Sequence, residues 1–176
     1  MKFTIRIKLM LGYVAILCLM LSVSILGYLA LDNVSKTAGK ILVQAHKYDV
    51  VNGLMESVKL FIDINDVLIK DPSHDTRYYE SLSRDVGKKI FYASKLGFSD
   101  TKRKFLENVE NEFNFIRKST RASLGWTDAE RSAKLIQLLK DTDRAKLSLI
   151  NDMDALYNEA WRNLDNVVIV AAHVKE

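Results

Sequence analysis

Eight polar residues interrupt otherwise apolar helical patterns in this chain: Asn52, Asp63, Asn65, Asp66, Arg77, Arg84, Asp143 and Lys146. Amides, carboxylates and cations of this kind hold a small polar ligand by hydrogen bonds and charge. The groups that make or break bonds are missing. There is no glycine-rich phosphate loop, no zinc-type His-Glu spacing and no serine or cysteine nucleophile signature. His46, His74 and His173 are far apart in sequence, so a shared metal is not expected. The expected chemistry is binding without catalysis, with no metal and no cofactor. The competing reading is structural. Such groups also fix helix register or pair with one another, and a charged helix face is commonly just solvated.

The elements that position these residues start at residues 9–31, a run of 23 without a charge. At ~1.5 Å per residue, a helix of this length reaches ~34 Å, enough for a ~30 Å hydrocarbon core. A cleavable signal has an apolar core of about 7–15 residues and small residues before the cut. Here the best cut follows Ala30, and bulky Tyr28 stands two positions before it. The segment is therefore expected to stay as an anchor. Lys2, Arg6 and Lys8 precede it and no acidic residue appears before Asp32. Basic residues stay on the cytoplasmic side, which puts the N-terminus inside and Asp32 onward outside.

The 26 basic and 22 acidic residues give a formal charge of +4. Three of the basic residues belong to the N-terminal stub, so the rest of the chain is nearly balanced. A nucleic-acid partner would need a clustered basic excess, and none is expected. The one cysteine, Cys18, lies in the apolar run, so packing rather than disulfides must hold the domain. One proline and few glycines point to long helices.

Leu31, Val34, Ala38, Ile41, Ala45 and Tyr48 alternate spacings of three and four, the seam of a coiled coil. Beyond them the stripe widens through Val51, Leu54, Met55, Val58, Phe61 and Ile62, as for a helix with several neighbours. One helix is expected to run from the membrane to about Lys70, ending at Asp71-Pro72. A second spans about 75–96 and a third about 100–123, parted by Gly97 with Ser99 as N-cap. A single helix over 75–123, kinked at Gly97, is the alternative. Thr127 and Glu130 have capping-box spacing and open a fourth helix.

The resulting fold is all-α: an N-terminal transmembrane helix continuing into an antiparallel up-down-up-down four-helix bundle. The first and fourth helices match in length if Leu31 lies opposite Val167. Asn52 is then level with Lys146, Met55 is level with Asp143, and Trp161 is near the outer membrane face. Asp63 and Arg77 could pair across the first turn. The shorter middle helices leave the membrane-proximal half as two helices, whose seams over 31–48 and 150–167 would serve a homodimer. The expected domains are a stub 1–8, an anchor 9–31, a bundle 32–166, and the start of a second membrane helix at 167–176.

A basic stub, one anchor, a four-helix extracytoplasmic bundle and a second apolar run resemble the sensor region of bacterial methyl-accepting chemotaxis receptors. Some membrane histidine kinases share this class. The residues carrying the resemblance are IRIKLMLGYVAIL at 5–17, DINDVLIKD at 63–71 and TDAERSAKLIQLL at 127–139. The resemblance implies a ligand-sensing input domain in the inner membrane, with the bundle periplasmic or extracellular and a small-molecule ligand. Its partners would be membrane lipid and a second copy. The departure is the second apolar run at 167–174, too short to span, with no output module after it. The alternative is a membrane-anchored structural or partner-binding bundle without a ligand.

Overall fold

The computed structural model describes residues 5–73 and 75–173. The first residues of the stub, His74 and the end of the second apolar run lie outside the described residues. Four helices make up the fold, with no strand among the described residues: α1 (Ile5–Lys70), α2 (Thr76–Ser94), α3 (Asp100–Leu124) and α4 (Asp128–His173). One of them, α1, is long and apolar enough near the N-terminus to cross a membrane.

Local chemistry explains each helix end. Pro72, the chain's single proline, cannot continue α1. Asp71 closes the turn after it, its carboxylate accepting from the Ser73 amide at 3.0 Å and hydroxyl at 2.6 Å. Asp75 caps α2 by accepting from the Arg77 amide at 2.9 Å. The capping box at α4 is formed in both directions. The Glu130 amide donates to the Thr127 hydroxyl at 3.3 Å, and the Thr127 amide donates to the Glu130 carboxylate at 3.1 Å. Ser99 has the extended backbone of an N-cap, but its side chain makes no capping bond. Between α2 and α3 the chain passes through Gly97 at φ +60°, the left-handed region. That is why 75–123 is two helices and not one.

The core is built where α1 meets α2 and α4, and where α4 meets α3. The Phe61 ring lies between Tyr79, 5.5 Å away, and Phe113, 4.9 Å away, joining α1, α2 and α3. Leu54 and Val58 of α1, Val86 of α2, Ile116 of α3, and Leu149 and Leu156 of α4 are all fully buried.

On α1 the fully buried positions begin at Val51; nearer the N-terminus Leu31 is 74% and Val34 66% exposed. The change comes at the α2–α3 connection. The Lys47 ammonium donates to the Gly97 carbonyl at 3.1 Å. Buried Phe98 lies under both the Lys47 and Lys102 ammonium groups, at 5.7 and 5.5 Å. Lys102 in turn pairs with Glu159 of α4 at 3.5 Å.

One expectation needs correction here. Met153 and Ala160 of the α4 seam are buried within the chain, so that stretch is not free to serve a dimer. Ile41, Ala45 and Tyr48 are half-buried as well, which leaves Leu31, Val34 and Ala38 as the exposed part of the α1 seam.

An alanine Cβ at position 97 would meet nothing within 4 Å, so Gly97→Ala pays only for backbone strain. It should cost about 1–2 kcal/mol. Gly97→Asn should cost less, because asparagine tolerates this conformation. Denaturant unfolding of both variants is the check.

Candidate functional site

Five of the eight polar residues fall in two places, and the first is a polar layer through the core. Asn65 and Asp66 are neighbours on α1 and point different ways. Asp66 turns to α4, where the buried Lys146 ammonium donates to its carboxylate. Asp143, one turn back on α4, supplies a second carboxylate at 3.3 Å. The Lys146 stem packs inward while its charge reaches the half-exposed Asp66 and exposed Asp143. Water still reaches these carboxylates, so the cluster is a partly solvated ion triad and not a dry one.

Asn65 turns into the core. Its side-chain oxygen accepts from the Thr120 hydroxyl of α3, and Tyr79 and Ser83 of α2 complete the layer. Burial pushes the Tyr79 phenol above its ordinary range, partly offset by the nearby Thr120 and Ser83 hydroxyls.

Asn52, Asp63, Arg77 and Arg84 stand apart from this layer. Asn52 does not face Lys146; its amide donates to Glu56 on its own helix at 3.2 Å. The reason is register. Tyr48 meets Tyr157, their hydroxyls 2.7 Å apart, and the Trp161 ring at 5.5 Å. Pairing Leu31 with Val167 would have put Tyr48 opposite Ile150, so α4 is displaced by about one heptad. A heptad pattern looks the same after such a slip. The slip also lifts Trp161 away from the expected membrane level and leaves Asp143 apart from Met55. Arg77 approaches Asp75 at 3.9 Å, and Asp63 is exposed with no ion pair among the described residues. Arg84 donates to the Glu80 carbonyl of its own helix at 3.3 Å.

The second place is a cleft of about 490 Å³ between α1 and α2, lined by His46, Asp49, Asn52, Glu56, Lys89 and Tyr92 among others. Its size suits a small molecule. Lys89 is tethered on this wall. Its ammonium donates to the Ser57 hydroxyl at 2.6 Å and the Gly53 carbonyl at 3.2 Å, and it pairs with Asp85 at 3.1 Å. Burial alone would raise the Asp85 carboxyl, but the bonds from Lys89 and Ser57 outweigh it and hold the group below its ordinary value. Of these lining residues, only Asn52 stood out in the sequence. The signal for the rest was the turn at 71–75. Counting equally in both directions from Asp71 brings Lys89 to Gly53 and Asp85 to Ser57.

Between α2 and α3, Glu80 and Arg121 form a two-pronged ion pair, one prong at 2.7 Å. The Arg121 guanidinium holds the Glu80 carboxyl below its ordinary value of 4.5. No family model, curated protein or solved structure matches the chain.

Asp66→Asn should destabilise the chain by about 1–3 kcal/mol, because Lys146 loses its main charged acceptor. Asp143→Asn should cost well under that, and Lys146→Met should recover most of the loss in the Asp66→Asn background. Thermal unfolding of these three variants beside the parent measures this. The Glu80 pair gives a pH dependence. A carboxyl whose folded pKa is depressed stabilises fully above its ordinary value, and the gain fades as pH falls through the folded one. Glu80→Gln should therefore differ most from the parent near pH 7 and converge with it toward pH 3.

Proposed function

We propose that this chain is the extracytoplasmic input domain of a membrane signal-transduction receptor of the chemotaxis-receptor type. It binds a small ligand and passes helix displacement to the membrane. The observation that supports this reading is α1 itself. One unbroken helix of 66 residues joins the charge-free stretch to the tip of the bundle. A shift or rotation imposed at the bundle reaches the lipid with no flexible joint between.

In this reading the helices form an antiparallel up-down-up-down bundle. The cross-helix bonds support it, since Tyr48 pairs with Tyr157 and Asp66 with Lys146, rising along α1 while falling along α4. Residues 9–31 span the bilayer with the N-terminus cytoplasmic. The apolar end of α4 returns beside the outer membrane face. A second copy covers Leu31, Val34 and Ala38, which are left exposed. The α1–α2 cleft takes the ligand, and the layer at Asn65 and Lys146 holds register.

A second reading, an anchored bundle with no ligand, is favoured by one observation. Lys146 already has Asp66 and Asp143 as acceptors, so the buried cation of this layer is already committed within the protein.

Two measurements test the proposal. In a Cys18→Ser background, single cysteines at Lys40 and Asn166 should both react with a membrane-impermeant maleimide in intact cells. Protection of both until the cells are lysed would place the bundle inside and end the receptor reading. If both react, a melting screen of the full chain in nanodiscs against small polar metabolites should give a stabilising shift that Asn52→Leu abolishes. No shift across the screen favours the ligand-free bundle.

A further inference from the structure

The core at Asn65 holds more polar atoms than it pairs. Asn65, Tyr79, Ser83 and Thr120 are each fully buried, at 0% exposure. The Thr120 hydroxyl donates to the Asn65 side-chain oxygen. That bond fixes the Asn65 amide, whose nitrogen then points away from Thr120 without a partner. The Tyr79 hydroxyl and the Ser83 hydroxyl are without one too. Tyr79 and Ser83 lie one turn apart on the same face of α2. The Tyr79 phenol also feels both the Ser83 and Thr120 hydroxyls, so the groups are neighbours and not scattered.

Buried polar atoms in native proteins are almost always paired, with protein or with an ordered water. An unpaired one costs more than an ordinary hydrogen bond gains. Three such atoms, contributed by α1 and α2 around one spot, ask for a single shared partner. We propose that Asn65, Tyr79, Ser83 and Thr120 form a binding site for one internal water molecule in the bundle core.

The donors and acceptors balance around it. The water oxygen accepts from the Asn65 amide nitrogen. Its two hydrogens go to the Ser83 and Tyr79 oxygens. The Tyr79 hydroxyl is then free to donate to the Thr120 oxygen, whose own hydrogen is committed to Asn65. Three bonds to one water is the usual complement for a buried site.

At this level polar side chains join all four helices. The water links α1 and α2, Thr120 links α3 to Asn65, and the Lys146–Asp66 pair links α4 to α1. The inference concerns the core alone and does not rest on the receptor reading.

The test is nuclear magnetic resonance on the full chain in nanodiscs, labelled with ¹⁵N-asparagine and with Asn65 assigned by the loss of its side-chain signal in Asn65→Gln. A direct cross-relaxation peak from the Asn65 side-chain NH₂ to the water line is expected, with the negative sign of a long-lived contact. Ser83→Val fills the space and removes an acceptor, so the peak should vanish while the other asparagine signals stay in place. Absence of the peak in the parent chain overturns the proposal, as does a peak that survives Ser83→Val unchanged. The parent measurement decides by itself if Ser83→Val fails to fold.

Discussion

The constraint that governs this molecule is the continuity of α1. Its backbone ladder runs from Ile5 to Lys70 without a proline, and the chain's single proline is held back to Pro72. A helix has no internal hinge unless something breaks the ladder. The environment along the helix nevertheless changes completely. Residues 9–31 expose mostly apolar side chains, the middle is half-covered, and from Val51 onward one face is fully buried. Every other element is fitted to this rod. α2 lies along its far end, α4 runs along most of its length outside the apolar stretch, and α3 closes the gap between them.

Packing strength is distributed unevenly along the rod. The aromatic cluster of Phe61, Tyr79 and Phe113 joins three helices by rings. Immediately beyond it, the core turns polar at Asn65 and Thr120. Arg131, at the start of α4, donates to the Ile69 carbonyl at 3.0 Å and to the Ser123 carbonyl at 2.8 Å. It thereby satisfies the ends of α1 and α3 together and places a cation where both helix dipoles are negative. The far end of the bundle is thus closed by directional bonds, and its middle by apolar contact.

Helix ends were legible in the sequence because single residues set them: Pro72, Asp75, Gly97 and the Thr127–Glu130 pair. Helix faces were legible because burial has a period. The register of α4 was not, since its seam reads alike one heptad away and cross-helix contacts such as Tyr48–Tyr157 are needed to distinguish the choices. The candidate site followed from register and suffered with it. Asp66 and Lys146 were both noticed, but not as partners, because the expected register set Asn52 level with Lys146. Ser83 and Thr120 gave no warning. Small hydroxyl residues on a helix look the same in sequence whether they face water or core, and only the neighbours of Asn65 reveal them.

The short connection between α2 and α3 carries a mechanical consequence. Phe98 is gripped between two lysines, one on α1 and one whose carboxylate partner is on α4. This makes a collar around the two long helices. Bending stiffness rises steeply with the number of rods that share a load, so the four-helix part above the collar is stiff and the pair below it is compliant. Tilt introduced above would be levered about this fulcrum, and the lower ends would move in the opposite sense.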